Sequence, residues 1–314
     1  MKHLVFTAII SVMLVMTACT TSNSYTRNVQ QETKTVDSSN KENIVYQPLL
    51  VSDKLPSNVD EQSGMVRYKN LFWVNNDSDC MPSLFAYNKK GEQKYEVKVK
   101  NAKNLDWEDL AEDDKYIYIG DFGNNFGVRK NLRVLRVKKE DLGDEEISEV
   151  EADKITFEWA DQQEFNARKQ SHDYDCEAFF AYGDSLYFFT KNWANLKTRM
   201  YAMPKTLAHH KLQPKAELDV DFLVTGADIS SDGKTIALIG YKNFLTYLML
   251  ISNFKNNQFF NGKHLRIDMS PLGGAQTEGV VFGENDALYI STEATLLPQA
   301  LYRVEWEQWK DLLK

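Results

Sequence analysis

Five segments of this sequence repeat one pattern, and that repetition limits the possible folds more than any other feature. Each segment begins with an acidic or small polar residue, continues into an apolar strand and a turn, and adds a second and a third strand. The key acidic or small polar residues of the segments lie at positions 63, 108, 177, 228 and 278, at intervals of 45, 69, 51 and 50 residues. Units of about 40 to 50 residues with several short strands are typical of β-propeller blades. We therefore predict an all-β, five-bladed β-propeller, with six blades or a β-sandwich as the alternatives.

A fourth strand is expected in each of the first four blades, from apolar runs at 94–99, 155–159, 216–220 and 265–268. The fifth repeat has no such run, because the chain ends soon after Val304. The unassigned run Val45–Val51 can pair with the last blade instead, which would close the ring and leave no open sheet edge. The long second interval predicts an insertion at 160–174, and Trp306–Leu313 is the one convincing helical stretch.

The N-terminus has the features of a signal peptide. A short basic start precedes 13 apolar residues, Leu4–Met16, which rise only about 20 Å as a helix, too little for a bilayer core of about 30 Å. The next residues, Met16-Thr17-Ala18-Cys19, resemble the lipobox of bacterial lipoproteins, with Met where Leu is usual. We expect that residues 1–18 are removed and that Cys19 is acylated, with palmitate among the acyl groups. This lipid would anchor the chain to a membrane. The alternative is an ordinary secretory signal.

The remaining chain divides into a tether and a globular domain. Residues 19–44 are rich in Ser, Thr, Asn, Gln and Lys and carry one aromatic residue, so they cannot bury enough apolar surface to offset the entropy of ordering. We predict a disordered tether at 19–44 and the propeller domain at 45–314. Thr20 and Thr21 follow the cysteine, and the absence of an acidic run there favours an outer-membrane anchor that faces the periplasm.

The charge balance excludes one class of partner. The chain has 37 Lys and Arg against 45 Asp and Glu, a formal net charge of −8. Phosphate contacts need clustered basic residues, so nucleic acid and direct binding to an anionic lipid surface are not expected. Cys80 and Cys176 fall on non-neighbouring blades, which argues against a disulfide between them, although an oxidising periplasm would permit one.

The first residue of each repeat belongs to the strand that lines the central channel, so these residues should converge on the propeller axis. Several carboxylates in one narrow channel repel one another unless a proton, a cation or a metal compensates them. Oxygen ligands alone favour a hard cation, Ca²⁺ before Mg²⁺, and the absence of His and Cys argues against zinc. The alternative is that each acid accepts backbone hydrogen bonds from the next blade and binds nothing. The predicted metal ligands are Ser63, Glu108, Glu177, Asp228 and Glu278.

The loops after the second strands should surround the same end of the channel. They carry polar and aromatic side chains of both charge signs, which suits a small polar or phosphorylated ligand or a protein partner. The alternative is that Asn, Asp and Gly in these loops only form turns. The predicted ligand-binding residues are Asp77, Asp121, Asn125, Arg129, Lys191, Tyr241 and Glu293.

The motifs from position 59 to 304 resemble those of uncharacterised bacterial secreted propeller lipoproteins. The shared motifs are Ser63 to Met65, Trp73 to Ser78, Asp106 to Asp109, Tyr118 to Asn125, Asp175 to Ala178, Ala227 to Gly233 and Gln276 to Gly279. A more distant resemblance is to the calcium-activated nucleotidases (apyrases), five-bladed propellers with an axial Ca²⁺. That resemblance also implies an axial metal at the five repeat positions. The chain departs from it at Asp228, Gly64 and the loop Gly123-Asn124-Asn125, so nucleotide hydrolysis is not implied.

Two functions fit these features. In the first, the protein is a binding module in which a structural metal underlies a ligand or partner site. In the second, it is a Ca²⁺-dependent hydrolase of phosphate or carboxylic esters, in which Arg129 or Lys191 stabilises negative charge and Asp121 or Glu293 activates water. The binding module is favoured, since no nucleophile or base is singled out.

Overall fold

Five sheets arranged in a ring make up the protein, a five-bladed β-propeller as predicted. The computed structural model describes residues 35–36 and 42–314, apart from Asp144, Ala167 and Leu296. Cys19 and the predicted signal peptide lie outside the described residues. Strands at Thr35–Val36 and Glu42–Val45 fall within the segment assigned to the tether or at its end.

The strands are short, as the runs of β-branched and aromatic residues suggest. In chain order they are β1 Thr35–Val36, β2 Glu42–Val45, β3 Leu49–Ser52, β4 Gln62–Tyr68, β5 Leu71–Asn76, β6 Ser83–Tyr87, β7 Gln93–Val99, β8 Trp107–Glu112, β9 Tyr116–Asp121, β10 Leu132–Lys138, β11 Ile147–Val150, β12 Asp153–Trp159, β13 Asp175–Tyr182, β14 Ser185–Lys191, β15 Lys197–Pro204, β16 His209–Leu212, β17 Ala216–Asp219, β18 Leu223–Ile229, β19 Thr235–Lys242, β20 Leu245–Ser252, β21 Lys263–Asp268, β22 Thr277–Phe282, β23 Leu288–Thr292 and β24 Ala300–Val304.

Helical structure among the described residues is confined to short 3₁₀ segments. These are Ser57–Val59, Lys139–Asp141, Phe259–Asn261, Ser270–Leu272, Glu284–Asp286 and Trp306–Leu313. No described helix has the length and apolar character needed to cross a membrane.

Each blade consists of four antiparallel strands that run from the axis outward. Blade 1 is β4–β5–β6–β7, blade 2 is β8–β9–β10–β12, blade 3 is β13–β14–β15–β17 and blade 4 is β18–β19–β20–β21. Blade 5 is β22–β23–β24–β3, so its outer strand comes from the N-terminal side of the chain. Leu50 of β3 pairs with Tyr302 of β24, which confirms the predicted closure of the ring.

Three outer edges are covered by an additional parallel strand that the sequence pattern did not reveal. Strand β11 pairs with β7, β16 pairs with β12, and β2 pairs with β21. In each case the covering strand directly precedes the fourth strand of another blade, the next one around the ring. Each such strand covers backbone groups that an open edge would leave exposed, and it ties neighbouring blades together.

The core is divided into five apolar clusters, each between two neighbouring blades. Between blades 2 and 3 the rings of Phe122 and Phe179 meet edge to face with centroids 5.1 Å apart. Burial of one such side chain stabilises the fold by roughly 1.5–3 kcal/mol. Cys176 belongs to the same cluster, whereas Cys80 lies in the loop between β5 and β6 of blade 1, and both are free thiols.

All five innermost strands have a break in register close to their first residues. The breaks fall at Ser63–Gly64, Glu108–Asp109, Glu177, Thr225 and Glu278–Gly279. A bulge of this kind redirects a side chain and bends the strand. The five bulges lie at the same end of the channel, where the candidate site is found.

Gly64 lies in one of these bulges and Gly226 directly follows another, and at both positions the next blade leaves no room for a side chain. A Cβ on Gly64 would overlap the backbone nitrogen of Leu110 in blade 2, and one on Gly226 would overlap the carbonyl oxygen of Glu278 in blade 5. The inner strands therefore approach each other backbone to backbone.

We predict that Gly226→Ala lowers the free energy of unfolding by about 3 kcal/mol, because the added methyl group forces two inner strands apart. Gly183→Ala is the matched control: its φ is +54°, but the added Cβ meets no atom within 4 Å, so only backbone strain of about 1 kcal/mol is expected. Denaturant unfolding of both variants measures the difference. Equal losses would contradict the close approach.

Candidate functional site

A polar cavity of about 160 Å³ lies in the channel where the inner strands begin and the second strands end. Nine of the predicted site residues line it: Ser63, Asp77, Glu108, Asn125, Glu177, Lys191, Tyr241, Glu278 and Glu293. Gln170, Trp193 and Gln276 also line it and were not predicted. Asp121, Arg129 and Asp228 do not line this cavity.

The bulges use their side chains in two ways. Glu108, Glu177 and Glu278 project their carboxylates into the cavity. The other two bulges carry hydroxyls that join blades: Ser63 Oγ donates to the carbonyl oxygen of Glu108, and Thr225 Oγ1 donates to that of Thr277 at 2.7 Å. Three of the five bulges therefore supply negative charge to the channel, and the other two hold neighbouring blades together.

The prediction that Asp228 belongs to the metal set is wrong, because Thr225 occupies the bulge of blade 4. Asp228 lies three residues further along β18, and its carboxylate accepts the amides of Ile229 at 2.8 Å and Phe282 at 2.7 Å. Phe282 belongs to blade 5, so this carboxylate binds the backbone of the next blade, which was the alternative interpretation. The spacing of acids misled the prediction, since Thr225 carries no charge.

Lys191 is a cation built into the cavity. Its side chain is 4% exposed, and Nζ donates to Glu177 Oε2 while lying 4.8 Å from the ring centroid of Trp193 and 5.1 Å from that of Tyr241. Burial is the largest single effect and would lower the pKa of Lys191, but Glu177 and then Tyr241, Glu278 and Asp175 together outweigh it and raise the pKa well above its usual value. Lys191 was predicted to bind ligand, and it does face the cavity, but its charge is already paired.

The opposite side of the channel holds three carboxylates, of which Asp106 alone has a basic partner among the described residues, Arg129 at 3.7 Å. Asp77, Asp106 and Glu108 each present one oxygen, and the three oxygens lie within 4.8 Å of one another. Glu108 is 4% exposed and its Oε1 has no hydrogen-bond partner among the described residues. Burial, and then the neighbouring Asp77, raise the pKa of Asp106 to about 7. The donor set is therefore that of a hard cation.

Gly123 leaves the space in which two of these carboxylates converge. A Cβ on Gly123 would overlap Glu108 Oε1 and would lie 2.6 Å from Asp106 Oδ2. Asp106 was missed as a ligand, although it stands two residues before Glu108 and therefore on the same side of an extended chain. The spacing of two residues between Asp106 and Glu108 is the sequence feature that could have identified Asp106.

Asp121 and Arg129 support the loop that contains Gly123 and do not line the cavity, contrary to prediction. Asp121 is completely buried and accepts from Arg129 at 2.8 Å and from Arg133 at 2.6 Å. Arg129 Nη1 donates to the carbonyl oxygen of Gly123 at 2.8 Å and lies 3.7 Å from Asp106 Oδ2. Their charges hold the loop in place, and Arg129 lines a neighbouring cavity of about 310 Å³ instead of the central one.

Two further cavities adjoin the central one at the mouth of the channel. One, of about 310 Å³, shares Asn125 and Gln170 with it. The other, of about 530 Å³, shares Asp77 and Glu293. A larger cavity of about 690 Å³ lies elsewhere, beside the 3₁₀ segment Trp306–Leu313, and contains none of the predicted site residues.

Burial shifts the remaining acids of the cavity in the same direction. The pKa of Glu278 is raised to about 7 and that of Glu293 to about 8, in both cases chiefly by burial. The carboxylates of the cavity outnumber its one ammonium group. The cavity therefore gains from binding either protons or an added cation.

No protein-family model and no curated protein matches this sequence. Similar solved structures include a glucose dehydrogenase, at 7% identity over 80% of this chain and 98% of that chain, with a TM-score of 0.47. The soluble aldose sugar dehydrogenase of Escherichia coli has 9% identity over the same shares and a TM-score of 0.47. Regucalcin of Agrobacterium tumefaciens, a calcium-binding protein, has 12% identity over 79% and 71%, with a TM-score of 0.40. Likenesses this distant carry no information about ligand or reaction, and the family resemblances noted above stay predictions.

We predict that Lys191→Met lowers the free energy of unfolding at about pH 8 by roughly 3–5 kcal/mol, the cost of an uncompensated buried charge. Burial raises the pKa of Glu177 above the value of about 4.3 expected in the unfolded chain. The folded variant then holds a proton that the unfolded chain releases, so the loss shrinks as the pH falls toward 5. Denaturant unfolding at both pH values measures the change.

Lys197→Met is the control for that variant, because Lys197 pairs with Glu217 on the exposed surface. Its stability should stay close to wild type at both pH values, as expected of an exposed ion pair. A loss for Lys191→Met that does not depend on pH would contradict the pairing described here.

Proposed function

We propose that this protein is a binding protein whose channel holds a divalent cation, with Ca²⁺ preferred, beneath a small polar ligand. The observation that carries the proposal is the convergence of Asp77, Asp106 and Glu108, with Glu108 Oε1 buried and without a hydrogen-bond partner in the described part of the chain. An unpartnered buried carboxylate oxygen is costly, and a bound cation removes that cost.

Ca²⁺ suits this cluster in ligand type and in spacing. It takes six to eight oxygen ligands at about 2.3–2.6 Å, so oxygens on opposite sides of the ion stand about 5 Å apart. The three oxygens of the cluster lie within 4.8 Å of one another. Three carboxylates leave several coordination positions for water or for a ligand oxygen, which is how a metal and a small ligand would share the cavity.

The rest of the cavity indicates the kind of ligand. Asn125, Gln170 and Gln276 offer amide groups that both donate and accept hydrogen bonds. An anionic ligand would face the carboxyl groups of Glu278 and Glu293, so a neutral or cationic polar molecule fits better than a phosphorylated one. A volume of about 160 Å³ is below the roughly 300 Å³ of most drug-sized sites.

The binding role is preferred to hydrolysis because the predicted catalytic groups are engaged elsewhere. Asp121 and Arg129 pair with each other, and Lys191 pairs with Glu177. Of the four groups assigned to a hydrolase, Glu293 is the one without a salt bridge among the described residues. A lone carboxyl with a raised pKa does not define a reaction.

We predict that the wild-type chain binds Ca²⁺ in isothermal titration calorimetry and that Glu108→Gln and Asp106→Asn each weaken binding by roughly tenfold or more, since each removes a charged ligand. Asp79→Asn is the matched control: Asp79 is exposed on the same loop as Asp77, and its φ of 61° is one that Asn accepts readily. Absence of Ca²⁺ binding in the wild type, or equal weakening by all three variants, would refute the site.

We further propose that the protein is a lipoprotein of the bacterial cell envelope, anchored through Cys19 and facing the periplasm. The support is the apolar run that ends at Met16-Thr17-Ala18-Cys19 and the polar segment that follows it. One lipid chain gives only marginal membrane binding, so more than one acyl group is expected.

We predict that full-length protein expressed in bacteria incorporates radioactive palmitate and sediments with membranes, and that Cys19→Ser abolishes both. Cys80→Ser is the control, since Cys80 is a free, partly exposed thiol in the propeller domain. Label retained in Cys19→Ser would show that acylation occurs elsewhere.

A further inference from the structure

Exposed apolar side chains surround the mouth of the channel. The loops between the second and third strands of blades 1, 2, 4 and 5 carry Met81, Phe126, Phe244 and Leu297, which are 62%, 49%, 73% and 41% exposed. The corresponding loop of blade 3 carries the half-buried Trp193. We call Met81, Phe126, Phe244 and Leu297 the apolar rim. Exposed apolar side chains that gather on one face are a feature of interaction surfaces.

Phe244 is the member of the rim that folding explains least. It stands at the second position of the two-residue turn between Lys242 and Leu245, with φ of 53° at Asn243 and 61° at Phe244. Such turns favour Gly at this position, and a bulky residue with positive φ is strained. The chain thus accepts backbone strain and an exposed aromatic ring at one place, a combination associated with function.

One of the two outer cavities inside the rim is acidic, whereas the other includes Arg129 and Lys169. The outer cavity of about 530 Å³ is lined by Glu61, Asp79 and Glu293 together with Asp77, and none of the described residues that line it is basic. Met81 follows the lining residue Cys80 directly, and the backbone nitrogen of Thr295 donates to the carbonyl oxygen of Leu297 in the loop that holds Glu293. Acidic and apolar groups therefore belong to the same loops.

We propose that this face docks a protein partner that places a Lys or Arg side chain in the outer acidic cavity and apolar side chains on the rim. Charge complementarity selects this occupant. A second copy of the chain would bring an equally acidic mouth against the first, and an anionic membrane would be repelled by the same carboxylates. The rim residues are separate from the proposed Ca²⁺ ligands, and of the acids that line the outer cavity Asp77 alone is one of those ligands. Substitutions on the rim therefore test docking apart from metal binding.

The test is selection of random dodecapeptides displayed on phage against the full-length chain saturated with Ca²⁺, followed by fluorescence anisotropy with the selected peptides. We expect them to carry Lys or Arg beside Leu, Phe or Met. Replacing that basic residue by norleucine, or introducing Phe244→Gly into the protein, should raise Kd by roughly tenfold or more. Added salt should weaken binding as well.

Phe244→Gly separates docking from folding, because Gly is the favoured residue at that turn position. Its Tm should not fall and its Ca²⁺ titration should match wild type, while peptide affinity is lost. Leu207→Ser is the control, since Leu207 is 54% exposed in the connection between β15 and β16, away from the rim. Selection of no peptide, selected peptides without a basic residue, or unchanged affinity in Phe244→Gly overturns the proposal. Self-association or binding to phosphatidylcholine vesicles that Phe244→Gly abolishes would instead assign the face to a second copy or to a membrane.

Discussion

The close approach of the five inner strands is the constraint on which the rest of the protein depends. At the axis there is no space for side chains between some blades, and the glycines at 64 and 226 permit backbone contact. Where a side chain is present, it connects two blades by a hydrogen bond. Ser63 and Thr225 donate to carbonyl oxygens of the next blade, and Asp228 accepts a hydrogen bond from a backbone amide of the next blade. These polar contacts align the strands, whereas the apolar clusters between blades supply most of the stabilisation.

The same constraint creates the charged cavity. Each inner strand bulges near its first residue, and the bulge turns that residue toward the axis. Three of the five are glutamates, so carboxylates from separate blades meet in a small volume. On one side Lys191 neutralises Glu177. On the other, Asp77 and Asp106 join Glu108, and the one salt bridge of these three acids among the described residues is that of Asp106 with Arg129, at 3.7 Å. Positive charge is therefore distributed unequally around the axis. The half of the channel with Lys191 and Glu177 is structural, and the half with Asp77, Asp106 and Glu108 is suited to an added cation.

The repeat in the sequence was sufficient to predict the five blades, the fourth strands and the closure by β3, because each blade repeats the same alternation of apolar strands and turns. It did not reveal the parallel strands β2, β11 and β16, because each has only four residues of mixed polarity and so shows no recognisable alternation of apolar and polar side chains. Among the site residues, Glu108, Glu177 and Glu278 could be found because charge marked them. Thr225 could not, because register depends on a bulge that spacing alone does not locate. Asp121 was predicted to bind a ligand because the sequence does not show that it pairs with Arg133.

Closure of blade 5 by β3 has a consequence for how the chain acquires its fold. Strand β3 precedes blades 1 to 4 in the chain, whereas its partner β24 follows them, at Ala300–Val304. The hairpins of blades 1 to 4 can therefore form first, but β3 stays without its partner until β24 has been synthesised. Ring closure is therefore a late, long-range event, which makes folding of this topology slow relative to its local hairpins.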